Sequence, residues 1–240
     1  MDDVQYSQYY VAFLDILGFK KLVDNPDISC EDIVSVYEFT LYKYENFFKN
    51  SAKKIDNNIE MKIMSDSICL YIKTDVPNAL LYLIAYCTTL QYDLLRGKKL
   101  LLRGGITSGD MYVKDDVIFG PALTEAYLLE ERNAKVPRVI IRKKTIDEGI
   151  SGIDKDMIDV LWRCLLRDDD AFYTLDYFQF LYIIRDNNEQ DKQDKIEDLK
   201  AVKALIADYL DTTIDDSIRQ KYLYVEKNIN RYKLKEHYNA

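Results

Sequence analysis

The sequence predicts an α+β fold, a ferredoxin-like palm whose antiparallel sheet carries flanking helices and is followed by a C-terminal helical hairpin. Three observations predict it. A nearly continuous apolar and aromatic run at residues 9–15 reads as a strand buried on both faces. Residues 59–73 hold two apolar runs separated by Ser65-Asp66, which is turn chemistry, and so read as a β-hairpin. Segments of helical periodicity lie between and after these strands, giving the order β-α-(α)-β-β-α-β and then short β, α, β, α, β.

Each element has its own justification. The 9–15 run ends on Asp15, and Gly18-Phe19-Lys20-Lys21 follows where a helix can begin. Ser29 or Asp27 is placed to cap the next helix, whose Ile33, Val36, Tyr37, Leu41 and Tyr44 fall at helical spacing. Residues 50–58 are polar and read as loop, and 76–96 read as a core helix. A strand is expected over 100–107, ending at Gly109-Asp110, with a further short strand pair near 111–113 and 117–119. Pro121 suits the first turn of a helix running to about Arg132, because its missing N–H does no harm there. Residues 136–142 read as a strand, 155–167 as a helix with Ile158, Leu161, Trp162 and Leu165 on one stripe, and 172–184 as a strand. From Asp186 ten polar residues lack any apolar anchor and read as a charged linker. This divides the chain into a domain at 1–185 and an extension at 186–240, with helices at 195–210 and 214–236.

Composition narrows the chemistry. The 33 Lys and Arg against 41 Asp and Glu leave a net charge of −8 and no basic stripe, so nucleic acid is not an expected partner. Four cysteines lack C-x-x-C spacing and His237 is the sole histidine, which disfavours a Cys/His zinc centre and a histidine-activated nucleophile. Any metal must rest on carboxylates. The thiols read as small buried hydrophobes in a reducing compartment. Met1-Asp2-Asp3 is acidic where a secretory signal would be basic, and the uncharged run at 76–92 contains Pro77, Asn78 and Gln91 and falls short of a membrane span. A cytoplasmic protein without a membrane partner is expected.

Asp15 ends a buried strand and Asp66 sits in a hairpin turn. In the expected topology these strands are neighbours, about 4.8 Å apart, so both carboxylates project from one end of the sheet. Hard oxygen ligands suit Mg²⁺ or Mn²⁺, and two such ions can activate one oxygen while neutralising another across a phosphoryl centre. Either residue alone reads equally well as a cap or a turn.

Four segments carry a resemblance. They are Tyr10-Val-Ala-Phe-Leu-Asp15-Ile-Leu-Gly-Phe19, Met61-Lys-Ile-Met-Ser-Asp66-Ser-Ile, Leu102-Arg103-Gly-Gly-Ile-Thr-Ser-Gly109 and Val117-Ile-Phe-Gly120-Pro-Ala-Leu-Thr124-Glu-Ala-Tyr-Leu128-Leu-Glu130. In order and spacing, over about residues 8–142, they resemble the successive motifs of class III nucleotidyl cyclases. Within that superfamily the chain looks most like the bacterial pyrimidine cyclases of Pycsar anti-phage defence. That closer likeness rests on the 119–130 stretch, Ala134-Lys-Val-Pro-Arg138 and the segment at 221–228.

The resemblance implies roles by position. Asp15 and Asp66 match the two metal-binding aspartates, with the Ile16 carbonyl as an additional ligand. Gly18, Phe19 and Lys20 match the phosphate-cradling turn, and Arg103 the strand arginine that contacts the outer phosphates. Lys62 lies where purine cyclases often keep a base-reading lysine, whereas Pro121 stands where adenylate cyclases keep its partner, usually Asp. The purine pair is thus incomplete, which favours a non-adenine base without naming one. Thr124 replaces the ribose-contacting Asn and keeps a hydroxyl that can hydrogen-bond. Leu128 replaces the transition-state arginine, and Arg132, one turn further on, or Arg138, opening the next strand, is a candidate to supply the charge.

The expected function is that of a nucleotidyl cyclase with two Mg²⁺ or Mn²⁺ ions, converting a nucleoside triphosphate, UTP or CTP first, to a 3′,5′-cyclic monophosphate and pyrophosphate. The resemblance further implies a homodimer with shared sites and a downstream cyclic-nucleotide-binding effector. Alternatives are an adenylate or guanylate cyclase, a cyclase-like sensor that binds nucleotide without turnover, and a diguanylate-cyclase-like palm. The last lacks its Gly-Gly-Asp-Glu pattern, since the turn here is Ser65-Asp66-Ser67.

Overall fold

Residues Tyr9 to Leu14 are buried on both sides of one strand, β1 (Ser7–Leu17), and the sheet is laid out around it. The computed structural model describes residues 5–49, 59–168, 170–179 and 189–232. β1 runs antiparallel to β3 (Ser67–Lys73) on one side and to β4 (Leu101–Lys114) on the other, and β2 (Glu60–Met64) pairs with β3 outside it. The first four strands therefore lie in the order 2-3-1-4 of a ferredoxin-like palm, and the fold is α+β as the sequence predicts. Beyond β4 the sheet continues through β6 (Val139–Ile141), parallel to β4, then β8 (Tyr173–Leu175) and β7 (Leu165–Arg167), while β5 (Val117–Phe119) pairs with β4 alone.

The period-2 alternation of β1 sorts two cores. Tyr10, Ala12, Leu14 and Ile16 join Leu70, Leu102 and Ile106 beneath α2 (Cys30–Lys49) and α3 (Ala79–Lys98). Tyr9, Val11 and Phe13 join Cys69, Tyr71, Ala122 and Ala126 beneath α4 (Pro121–Asn133) on the opposite face. Each fully buried Leu, Ile or Phe contributes about 1.5–3 kcal/mol, so the two-sided burial locks the register of β1.

Local chemistry sets the helix starts. α1 (Phe19–Val23) begins after Gly18, whose φ of 82° is left-handed and which follows β1 directly. Ser29 caps α2 reciprocally: the Asp32 amide donates to the Ser29 hydroxyl at 3.1 Å and the Ser29 amide to the Asp32 carboxylate at 3.0 Å.

The later elements differ from expectation. The region at 100–113 is one continuous strand, β4, instead of two. Residues 155–167 are not one helix. A 3₁₀ turn (Lys155–Met157) leads into α6 (Ile158–Arg163), after α5 (Lys143–Gly149), and the chain turns at Cys164 so that Leu165 can pair with Leu175. The pairing of β7 with β8 outcompetes helical propensity. Among the described residues of the expected strand at 172–184, which end at 179, strand structure is confined to β8, because the Asp176 carboxylate accepts the Gln179 amide at 2.9 Å and starts a helical turn at residues 177–179. Residues 50–58 and 180–188 lie outside the described residues. The polar stretch after them is helical from α7 (Glu189–Thr212) onward, where Gln190 donates to Asp194 at 2.8 Å and Gln193 to Glu197 at 3.1 Å, four residues apart.

α7 and α8 (Asp216–Asn230) form an antiparallel pair seated on α3, with Leu199, Val202, Ile206, Val225 and Ile229 against Tyr92 and Leu95. Tyr209 stacks on Tyr222 at 4.4 Å, and the buried Tyr232 hydroxyl meets the Asp176 carboxylate. Among the described residues no helix is long and apolar enough to cross a membrane.

α4 rests on bare backbone. A Cβ at Gly105 would lie 2.8 Å from the Ala126 carbonyl oxygen, 2.9 Å from Leu129 Cβ and 3.0 Å from the Glu130 nitrogen, so a side chain there must push the helix off the sheet. Gly105→Ala is expected to lower stability by about 2 kcal/mol, read from the urea midpoint, whereas Gly152→Ala, with nothing within 4 Å of the new methyl, should stay within about 0.5 kcal/mol.

Candidate active site

Strand pairing brings the sequence-predicted residues into rows. Asp15 stands opposite Ser67 on β3 and opposite Arg103 on β4, so Met64, Ser67, Asp15 and Arg103 form one cross-strand row. The neighbouring row on the same face runs Lys62, Cys69, Phe13, Gly105. Two residues of strand, about 6.8 Å, separate the rows. Lys62 and the Asp15–Arg103 pair thus share the sheet face covered by α4.

Asp66 is held next to Asp15 by the backbone. The two-residue turn between β2 and β3 uses a left-handed Ser65 (φ 56°), and the Ile16 amide donates to the Asp66 carbonyl at 2.9 Å. α2 fixes the turn from outside, because the Tyr37 hydroxyl donates to the Ser65 carbonyl at 3.0 Å while its ring meets Phe19 edge-on at 5.7 Å. Burial, and secondarily the Asp66 charge, push the Tyr37 hydroxyl pKa up. Both aspartates are half-buried. With the Ile16 carbonyl they make an oxygen-only donor set, which fits a hard divalent cation. Among the described residues no group of three or more His, Cys, Asp or Glu side chains is gathered as a metal centre.

Arg103 lies between two carboxylates. Its Nε donates to Asp15 Oδ2 at 2.8 Å and is also 2.7 Å from Glu130 Oε1, yet that oxygen accepts no hydrogen bond. The Glu130 side chain is only 4% exposed. Burial first, then the charges of Asp15 and Glu131, raise its pKa to about 7 against the opposing pull of Arg103 and Lys135. Sequence reasoning quoted Glu130 within a motif without giving it a role. The signal was present, since a glutamate follows Ala122 and Ala126 at i+8 and i+4 on the stripe of α4 that faces the sheet.

The remaining residues are distributed around this centre. Gly18, Phe19 and Lys20 form the turn from β1 into α1, with Phe19 buried and Lys20 exposed. Lys62 Nζ bonds Asp116 Oδ1 at 2.7 Å and the Asp115 carbonyl at 3.1 Å, so the β4–β5 turn closes over the outermost strand. Thr124 is exposed on α4 and its hydroxyl donates to the Gly120 carbonyl at 3.2 Å. Leu128 is half-buried and Arg132 is exposed in the last turn of α4. Arg138 is buried, with Nη1 on Asp168 at 2.6 Å and Nη2 on Asp170 at 2.5 Å and on the Asn133 carbonyl at 2.9 Å. Its Nη donors are taken up by Asp168 and Asp170 in the connection between β7 and β8 and by the Asn133 carbonyl, while its Nε is buried without a hydrogen bond. A polar cleft of about 410 Å³ lined by Arg96, Asp194, Glu197, Asp198 and Ala201 lies between α3 and α7, on elements that take no part in this row of residues.

No protein-family model matches the chain, and no curated protein sequence matches it. Among solved structures it is similar to a bacterial light-regulated adenylyl cyclase, with a TM-score of 0.49 and 14% identity over 76% of this chain and 58% of that one. It is also similar to the catalytic core of a rhodopsin-guanylyl cyclase with converted specificity in complex with ATPαS (TM-score 0.44, 18% identity, 62% of this chain and 83% of that one). A third is a class III adenylyl cyclase-like ATP-binding protein from Pseudomonas aeruginosa (TM-score 0.43, 11% identity, 74% and 40%). The chain spans 58% of the first of these.

The raised pKa of Glu130 has a thermodynamic sign. A carboxyl that titrates near 7 when folded and near its ordinary value when unfolded binds more protons in the folded state, so stability is greatest at low pH and falls between about pH 4.5 and 7. Glu130→Gln removes that dependence. Thermal melts from pH 5 to 8 are expected to show the wild type losing on the order of 2 kcal/mol relative to this variant.

Proposed function

We propose that the chain is a nucleotidyl cyclase, a phosphorus–oxygen lyase acting on a nucleoside triphosphate. The observation that supports this reading is the backbone hydrogen bond from the Ile16 amide to the Asp66 carbonyl, which ties the Asp66 turn to the end of the strand that carries Asp15, with Arg103 paired in register to Asp15. In the reaction the ribose 3′-oxygen attacks its own α-phosphorus. The new O–P bond forms, the bond to the β-phosphate oxygen breaks, the hydroxyl proton leaves, and pyrophosphate departs.

The chain's own groups supply position and charge. Asp15, Asp66 and the Ile16 carbonyl would hold Mg²⁺ or Mn²⁺, which when bound lowers the hydroxyl pKa and neutralises the phosphates. Arg103, on the same face, is within reach of the anionic end of a triphosphate seated there, and the Gly18-Phe19-Lys20 turn would cradle its oxygens. Lys62, one row further along that face, is the base-facing cation. The absence of a side-chain partner at Pro121 supports a base other than adenine without naming one, and the resemblance to Pycsar cyclases supports a pyrimidine, UTP or CTP, and a second-messenger role in anti-phage defence with a separate effector. Of the two arginines considered for the place of Leu128, Arg132 is exposed and uncommitted to the buried pairs that hold Arg138. A homodimer completing each site across its two-fold axis belongs to the same reading. A second reading, a nucleotide sensor without turnover, is favoured by Leu128 and Thr124 and opposed by the Asp15 and Asp66 pair.

Incubation with each of the four ribonucleoside triphosphates and Mn²⁺, with products identified by mass, is expected to yield a cyclic pyrimidine monophosphate and pyrophosphate. Asp15→Asn and Asp66→Asn should each reduce the rate at least 100-fold without unfolding the protein, and full metal-dependent activity in Asp66→Ala would overturn the assignment. Arg132→Ala should lower kcat with stability unchanged, whereas Arg138→Ala should cost about 3 kcal/mol of stability by stranding Asp168 and Asp170. Triphosphate binding in calorimetry with no product over hours would select the sensor reading.

A further inference from the structure

Arg103 has one Nε–H and two carboxylate neighbours at nearly equal distance, 2.8 Å to Asp15 and 2.7 Å to Glu130. The hydrogen is directed at Asp15, which leaves Glu130 Oε1 buried without a hydrogen bond. A buried acceptor in that state has lost its water without gaining a bond in exchange, a cost that is larger when it is charged. The arrangement is therefore tense in one direction: a small rotation of the guanidinium satisfies Glu130 and frees Asp15. Whatever claims the Asp15 oxygens in place of Arg103 is favoured by the bond then made to Glu130.

We propose that Glu130 is a positioning residue that receives Arg103 when a divalent cation takes Asp15. This inference rests on the cyclase reading of the Asp15 and Asp66 pair and adds a residue that the reading does not require. Without an anionic acceptor on α4, cation binding would have to expel Arg103 from its only carboxylate into a largely buried space. With Glu130 there, the exchange conserves the number of charge-assisted hydrogen bonds, and it leaves Arg103 turned and fixed beside the cation. The pressing of α4 onto Gly105 sets the Glu130 backbone close over the strand that carries Arg103, so the acceptor is already in reach.

Binding of Mn²⁺ alone, followed by loss of the free-ion electron paramagnetic resonance signal, reads this without turnover. Glu130→Gln keeps the shape and removes the charge, and is expected to weaken Mn²⁺ binding five- to tenfold. In an Arg103→Ala background, where no guanidinium needs a destination, the same substitution should change affinity less than twofold. An equal loss in both backgrounds would mean that the ion feels the Glu130 charge directly, and would overturn the proposal, as would no loss in either. If Asp15→Asn leaves Mn²⁺ affinity unchanged, the cyclase site itself is misassigned and the inference falls with it, an outcome separable from failure of Glu130→Gln alone. Should Glu130→Gln not fold, a wild-type crystal grown with Mn²⁺ decides: Arg103 on Glu130 supports the exchange, and Arg103 still on Asp15 beside a bound ion refutes it.

Discussion

The structure depends on a strand that is paired on both edges and buried on both faces. β1 has antiparallel partners in β3 and β4 and places alternate side chains in two separate cores. No register slip is open to it, because moving by one residue would exchange the contents of the two cores. Asp15, at its end, inherits that fixity. Its place opposite Ser67 and Arg103 is a consequence of Val11, Ala12, Phe13 and Leu14 being where they are.

Around that fixed point the charges are arranged in alternation. Asp15, Arg103 and Glu130 form a chain of two anions about one cation, in a space where desolvation makes every unmatched charge costly. The turn with Asp66 is tied to the same strand by a backbone hydrogen bond and clamped by Tyr37. The positions of the two aspartates are thus set by backbone pairing, with the Tyr37 side chain as the outer support of the turn. Arg138 belongs to a different logic, since its Nη groups pair with Asp168 and Asp170 and join the start of β6 to the connection beyond β7.

The palm was legible in the sequence because its signals are local and strong. The two-sided apolar run, the Ser65-Asp66 turn and the proline at the first turn of α4 each name an element by themselves. What followed residue 150 was less legible, for identifiable reasons. Ile158, Leu161 and Trp162 have helical spacing, but Leu165 is claimed by a strand partner ten residues away, which no periodicity reveals. The polar residues from Glu189 carry no apolar stripe in their first turns and are helical with side-chain pairs at four-residue spacing. At the site, Asp15, Asp66 and Arg103 could be picked out by type and position, whereas Glu130 was hidden by being one charged residue among several near the end of a helix. Its importance lies in burial and in the direction of a single N–H, which are properties of packing.

The contact of α4 with the glycines of β4 has a consequence for how such a protein can change. Main chain touches main chain there, so the height of the helix above the strand is a hard stop, independent of what the helix displays. Thr124 and Arg132 are exposed on that shelf, whereas Tyr127 packs edge-on against Phe13 at 5.4 Å. Replacement of the two exposed residues can change the surface that the helix presents, generation after generation, while the platform beneath keeps its dimensions.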